Sequence, residues 1–388
     1  MKNPCLIFFL ILAILCSLVS VGVCGVVQVD ADLPGVALFL DGSYIGDTPK
    51  TLSDLLPGEY TLAATLPGHP PAEKKITVSQ SDKDSVFFSF GEPYHEKGIG
   101  IIKIHDCVGT PEQTGLRGTS ISIVTPSEYS MMAYYTGSRE GVQCAGSEDG
   151  KRWYEFPYGC LQTSGIQEKS LFPISRPWVF ESEDGGFRML YLASDNAHPS
   201  LFHAFSQNGV DFSPEGKVTF LNHEITSSSW EQYSMVTGIR LLDGKIRMYY
   251  SDPYGGIRSA VSIDGGKAWT VEDGHRIVDG TNPSVILLPD GKFCLFYVDL
   301  SSGPKGQKLM ATISEDGLTF SPNKRIPIIS SEEKGVWILD PEIHISGNES
   351  LDLYYSIMGK STETGIELPA IMHSVIDIDC LVDRLSDN

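Results

Sequence analysis

The sequence is poor in charge, and above all in positive charge. It has 29 Lys and Arg against 49 Asp and Glu, a net charge of −20, and charged residues make up only 20% of the chain. A surplus of that sign repels phosphate backbones and anionic headgroups, so nucleic acid is not an expected partner. Metal-ligand spacings are missing. His105, His203, His223 and His344 do not pair, and no metal or other cofactor is expected. A glycine-rich phosphate loop and a Ser–His–Asp motif are absent too, so nothing points to nucleotide or serine-hydrolase chemistry. Residues 26–90 show no helical period.

What the chain does have is β-rich and exported in character. It carries 39 Gly, 23 Pro, 16 Tyr and 17 Phe among 388 residues, an ordered composition large enough for one to three domains. Lys2 precedes a charge-free run from Cys5 to Val27. Residues 1–25 read as a signal peptide or an uncleaved signal-anchor, and any membrane contact is expected through this segment alone. Both readings place the bulk of the chain outside the cytoplasm. Beyond the leader stand Cys107, Cys144, Cys160, Cys294 and Cys380, an odd number. Cys294 lies in the apolar strand FCLFY and reads as a buried thiol, leaving four for two disulfides. Asn348-Glu349-Ser350 is a glycosylation sequon.

Residues 26–92 read as a small β-domain. VVQVDA, VALFLDG, EYTLAAT and KKITVS alternate apolar and polar residues, and Asp41-Gly42 marks a hairpin. The ordered turn residues Pro34, Gly35, Ala37, Asp41, Gly42, Gly46, Thr48, Pro49, Pro57, Gly58, Tyr60 and Gly68 resemble those of the PEGA domain. That resemblance implies a β-sandwich module with a spacer or surface-attachment role and no catalytic residue.

Residues 96–388 carry two repeats. SEDGKRW, SQNGVDF, SIDGGKAW and SEDGLTF begin at Ser147, Ser206, Ser262 and Ser314, a period of about 50–60 residues that signals a radial or stacked fold. Independently, MMAYY, RMLYL, RMYY, CLFY and LDLYY align Tyr135, Tyr191, Tyr250, Tyr297 and Tyr355. Each sits in a strand–turn–strand unit, so a five-bladed β-propeller is expected, and the full chain is all-β. GIGIIKIHD (98–106) and IMHSVIDID (371–379) are expected to lie side by side in the closing blade, with Cys107 and Cys380 stapling the ring. Cys144 and Cys160 flank the first box and are expected to pair.

The boxes resemble the Asp-box of sialidases and related propellers. Asp149, Asn208, Asp264 and Asp316 are expected to accept backbone N–H bonds as turn formers, on the face opposite any active site. ISRPWVFESEDGGFRMLYLAS, TNPSVILLPDGKFCLFY and LDPEIHISGNESLDLYYS resemble the strand–turn–strand units of arabinanases, levansucrases and invertases. Those glycosidases use two or three carboxylates, which the resemblance maps to Glu231, Asp340 and Glu342. Arg117, Arg176, Trp178, Tyr233 and Asn282 are the matching candidates for substrate binding. The first blade, TGLRGTSISIVT, has no acid where such enzymes place one, and Arg176-Pro177 lacks an adjacent aspartate. A sialidase-like site would instead draw on Arg117, Arg176 and Arg139 with Tyr233. Two functions are therefore expected: a glycoside-hydrolase-like enzyme acting on an extracellular glycan, or a non-catalytic propeller binding glycan or protein at the cell surface.

Overall fold

The computed structural model describes residues 25–41, 43–66, 69, 72–79, 83–90, 102–126, 131–137, 141–156, 159–161, 174–195, 198–222, 235–252, 256–301, 307–331, 336–346, 349–358 and 369–387. The leader, Arg139, Glu231, Tyr233 and Asn348 lie outside them. Among the described residues no helix is long and apolar enough to cross a membrane. Two compact units form, Met1–Leu66 with Pro70–Gly91, and Pro67–His69 with Glu92–Asn388.

The first unit holds β1 (Gly25–Ala31), β2 (Ala37–Leu40), β3 (Ser43–Asp47), β4 (Lys50–Leu55), β5 (Gly58–Thr65), β6 (Ala72–Val78) and β7 (Lys83–Phe88). They make two sheets, β4-β1-β7 and β3-β2-β5-β6. β1 alternates buried and open residues, so Val27 and Val29 face a shared core with Leu38, Leu62 and Phe88. This is the inner face of a β-sandwich. Asp41 takes φ 46° at the β2–β3 turn, where short polar residues tolerate the left-handed region.

The second unit opens with two short strands, β8 (Ile102–Ile104) and β9 (Glu112–Gln113). Five antiparallel sheets follow. Blade 1 is β10 (Gly118–Val124), β11 (Met131–Gly137), β12 (Gln143–Ser147) and β13 (Tyr154–Glu155). Blade 2 is β14 (Ser175–Glu181), β15 (Phe187–Asp195), β16 (His198–Ser206) and β17 (Ser213–Lys217). The short β18 (Thr219–Phe220) then pairs in parallel with the outermost strand of blade 3. Blade 3 is β19 (Val236–Arg240), β20 (Ile246–Ser251), β21 (Ile257–Ser262) and β22 (Ala268–Val271). Blade 4 is β23 (Gly280–Leu287), β24 (Phe293–Asp299), β25 (Lys308–Ser314) and β26 (Arg325–Ser331). Blade 5 is β27 (Trp337–Ile345), β28 (Ser350–Met358) and β29 (Ala370–Asp377), completed by β9. The innermost strands β10, β14, β19, β23 and β27 are neighbours in that order, and β27 returns to β10. The unit is a five-bladed β-propeller.

The closing arrangement differs from the expected one. β29 pairs with Glu112–Gln113, whereas Ile102–Ile104 adds to the outer edge of blade 4 through β26. A strand from before blade 1 thus covers an edge that blade 5 would otherwise leave open. Of residues 371–379, those through Asp377 form the expected strand and the last two do not. After Asp377 the chain turns into α1 (Ile378–Asp387), whose Ile378, Leu381 and Leu385 are buried. Cys107 is bonded to Cys380 in the first turn of α1, and Cys144 of β12 is bonded to Cys160. Cys294 is free and buried.

Candidate functional site

The site is built where innermost strands begin. In blades 1, 2, 4 and 5 the register slips there, between Thr119 and Ser122, Ser175 and Trp178, Thr281 and Ser284, and Leu339 and Glu342. Inside each slip one residue takes a left-handed backbone: Ser120 (φ 57°), Arg176 (φ 56°), Asn282 (φ 52°) and Asp340 (φ 52°). Such φ values are strained for side-chain-bearing residues and need support. For two of them it comes from the preceding blade. The Arg176 N–H donates to Thr136 Oγ1 at 2.8 Å and the Asn282 N–H to Ser251 Oγ at 2.9 Å. In blade 3 the register places Met235 at the same position, two residues before Thr237, which pairs with Tyr249.

Five residues, one per blade, therefore form a ring. Ser120 Oγ donates to Asp340 Oδ2 at 2.9 Å and lies 3.7 Å from Met235 Sδ. Asn282 Nδ2 donates to Asp340 Oδ1. Asp340 is buried, and burial raises its carboxyl above the usual range against the Arg176 charge and the Ser120 and Asn282 hydrogen bonds. Arg176 is half-buried and its guanidinium lies close enough to bias Asp340 without forming an ion pair with it.

A second tier lies two residues along each strand and ties blades together. Ser122 Oγ accepts from the Val179 N–H at 3.0 Å, and Ser284 Oγ from the Ile343 N–H at 3.1 Å. Glu342 closes the ring: Oε1 accepts from the Ile123 N–H at 3.1 Å, and Oε2 faces Ser284 Oγ at 3.3 Å. Glu342 keeps some solvent contact, yet desolvation pushes its carboxyl up to about 8 despite those two bonds. Between blades 2 and 3 Trp178 fills the equivalent place.

Trp178, a candidate for substrate binding, has apolar surroundings. It is buried against Phe180 and Trp269, and its ring lies where a Cβ on Gly238 would stand. Of the other expected residues, Asn282, Arg176 and Asp340 meet in the ring, and Glu342 sits in the tier below. Arg117 is half-buried at the approach to β10. Ser120 and Met235 were not anticipated. Arg176, Asn282 and Asp340 each precede a proline, and the other two do not; counting back from the aligned tyrosines would have found both.

The boxes stand at the other end of blades 1–4. Met131 pairs with Ser147, whereas Gly137, at the far end of β11, pairs with Gly118 beside the ring. Asp149 Oδ1 accepts from the N–H groups of Lys151 and Arg152 at 2.9 and 2.8 Å, and Asp316 Oδ1 from those of Leu318 and Thr319, both at 2.8 Å. Asn208 Oδ1 does the same for Val210 and Asp211, and Asp264 Oδ1 for Lys267 and Ala268. No group of acidic, His and Cys side chains able to hold a metal is present among the described residues.

Residues 24–90 match the PEGA domain model. The search of curated proteins finds no match. Among solved structures, an N-acetylgalactosamine deacetylase from F. plautii in complex with blood group B trisaccharide aligns at 16% identity, covering 74% of this chain and 96% of that one, with TM-score 0.52. Two candidate glycoside hydrolases align similarly. One, from Parabacteroides distasonis, has 13% identity, 74% and 97% coverage and TM-score 0.51. The other, from Bacteroides ovatus, has 16% identity, the same coverage and the same TM-score. At these identities the likeness is one of fold.

Proposed function

We propose that this protein is exported and that its propeller binds an extracellular glycan in the axial ring without cleaving it. One observation carries the reading. Among the five ring positions only Asp340 is a carboxylate, and both its oxygens accept hydrogen bonds from within the ring. Glycoside hydrolysis of the arabinanase kind uses two carboxyl groups flanking the scissile bond about 5–10 Å apart. Here Asp340 and Glu342 come from one strand, and Glu342 is engaged in joining blades 4, 5 and 1. A polar ring of a hydroxyl, an amide, a carboxyl and a guanidinium suits sugar hydroxyls. The two disulfides and the PEGA match support export.

The test is a panel of polysaccharides scored in parallel for binding and for release of reducing ends. Binding without release is expected. A second reading has one observation in its favour: a carboxyl held near 8 retains a proton at neutral pH, as a general acid must. Release of sugar by the full chain that disappears in Glu342→Gln would establish that reading and overturn the first.

A further inference from the structure

Arg176 is an exception among the described arginines of the propeller. Arg188 pairs with Glu215, Arg240 with Glu183, Arg247 with Glu272, and Arg384 with Asp106. Arg276 donates to the carbonyls of Leu318 and Gly274, and Arg325 lies over the ring of Tyr297. Arg176 is half-buried, and among the described residues its guanidinium makes no hydrogen bond and no ion pair. Its backbone is nonetheless fixed in a left-handed conformation and tethered to Thr136. A guanidinium carries five donors and no acceptor, and stays charged. The nearby Asp340 carboxyl feels the Arg176 charge but makes no ion pair with it, and accepts from Ser120 and Asn282 instead. The chain has 20 more acidic than basic residues, so a guanidinium held at the ring without an ion pair or hydrogen bond is not a matter of scarce acids.

We infer that Arg176 receives an anionic group of the ligand, a uronic-acid carboxylate or a sulfate ester, by a bidentate hydrogen-bonded contact. The inference rests on the glycan-binding reading and narrows its ligand class. The net charge of −20 repels a long polyanion, so the recognised group is one acidic residue on an otherwise neutral glycan. Asn282 and Ser120 then face the neighbouring hydroxyls.

The test uses the full chain and neutral oligosaccharides bearing a single glucuronic acid, with their carboxyl-reduced products, and mono-sulfated oligosaccharides with their desulfated products. Affinities are measured by titration calorimetry for the wild type, Arg176→Gln, Arg176→Lys and the distant control Arg240→Gln. The expected result is at least tenfold tighter binding of one acidic series than of its neutral product. That preference should vanish in Arg176→Gln, survive in part in Arg176→Lys, persist in the control, and weaken with added salt. Which series shows it identifies carboxylate or sulfate. Equal binding of acidic and neutral members overturns the inference but leaves glycan binding standing. A preference that survives in Arg176→Gln overturns the assignment to Arg176. Failure of every acidic and neutral member to bind overturns both the inference and the reading beneath it.

Discussion

Glu342 and the box aspartates titrate in opposite directions because burial wins at one and hydrogen bonding at the others. Burial holds the Glu342 carboxyl at about 8 in the folded chain, against 4.5 for an ordinary glutamate. Its contribution to stability is therefore complete below about pH 4.5 and is lost as pH rises through 8. Burial of Asp340 acts in the same sense. For Asp149 and Asp316 burial also pulls upward, but two backbone N–H groups on each, together with side-chain hydrogen bonds from Arg152 on Asp149 and from Ser314 and Thr319 on Asp316, outweigh it and bring both to about 2. Their contribution is complete above 3.8 and is lost as pH falls towards 2. Thermal melts from pH 5 to 9 should show the wild-type melting temperature falling with pH, and a flatter profile in Glu342→Gln. Parallel profiles would mean that another group titrates in that window. At this scale the sequence was only partly legible. Asp340 and Asn282 stand out because each precedes a proline at the start of a strand. Met235 does not, because a methionine before valine looks like any apolar strand residue. Trp178 reads as a surface aromatic until the missing Cβ of Gly238 shows where its ring goes.

The boxes act as latches between blades as well as turns within them. Tyr134 of blade 1 donates its hydroxyl to the Gly209 carbonyl of the next box at 2.7 Å. Tyr249 reaches Gly317 at 2.8 Å, and Tyr354 reaches Gly150 at 2.8 Å across the closing junction. Each of these tyrosines precedes one of the aligned tyrosines that reveal the blade count. The turn was legible because Ser, Asp and Gly act on their own neighbours. The latch was not, because its two partners are 68–204 residues apart. Asp316→Ala should cost about 1–3 kcal/mol, since two backbone N–H groups lose their acceptor. Asp316→Asn should cost less than half of that, as Asn208 already fills the same role. Chemical denaturation of the two variants checks this, and equal losses would show that charge, rather than the N–H acceptor, holds the turn. α1 is the element that strand reading missed, although Ile378, Leu381, Val382 and Leu385 recur at helical spacing.

At the scale of the molecule, five repeated tyrosines made the propeller legible, and closure was the part that could not be read. A strand of two residues, Glu112–Gln113, completes blade 5, and nothing in its own composition marks it. The Cys107–Cys380 bond secures that region by joining the approach to blade 1 to the final helix across 273 residues. The Cys107→Ser/Cys380→Ser double variant should lose about 2–5 kcal/mol, by the chain-entropy account of long loops. A melting temperature unchanged from wild type would mean that β9 and α1 hold the closure alone. The ring of Ser120, Arg176, Met235, Asn282 and Asp340 exists only because five blades converge, so its chemistry is a property of the whole. The most direct measurement is the affinity of the tightest glycan from the panel for the wild type and for Asp340→Asn, with product release followed in the same samples. Binding at least tenfold weaker in the variant, with no sugar released by either protein, is the predicted result. Unchanged affinity in Asp340→Asn would contradict the placement of the site.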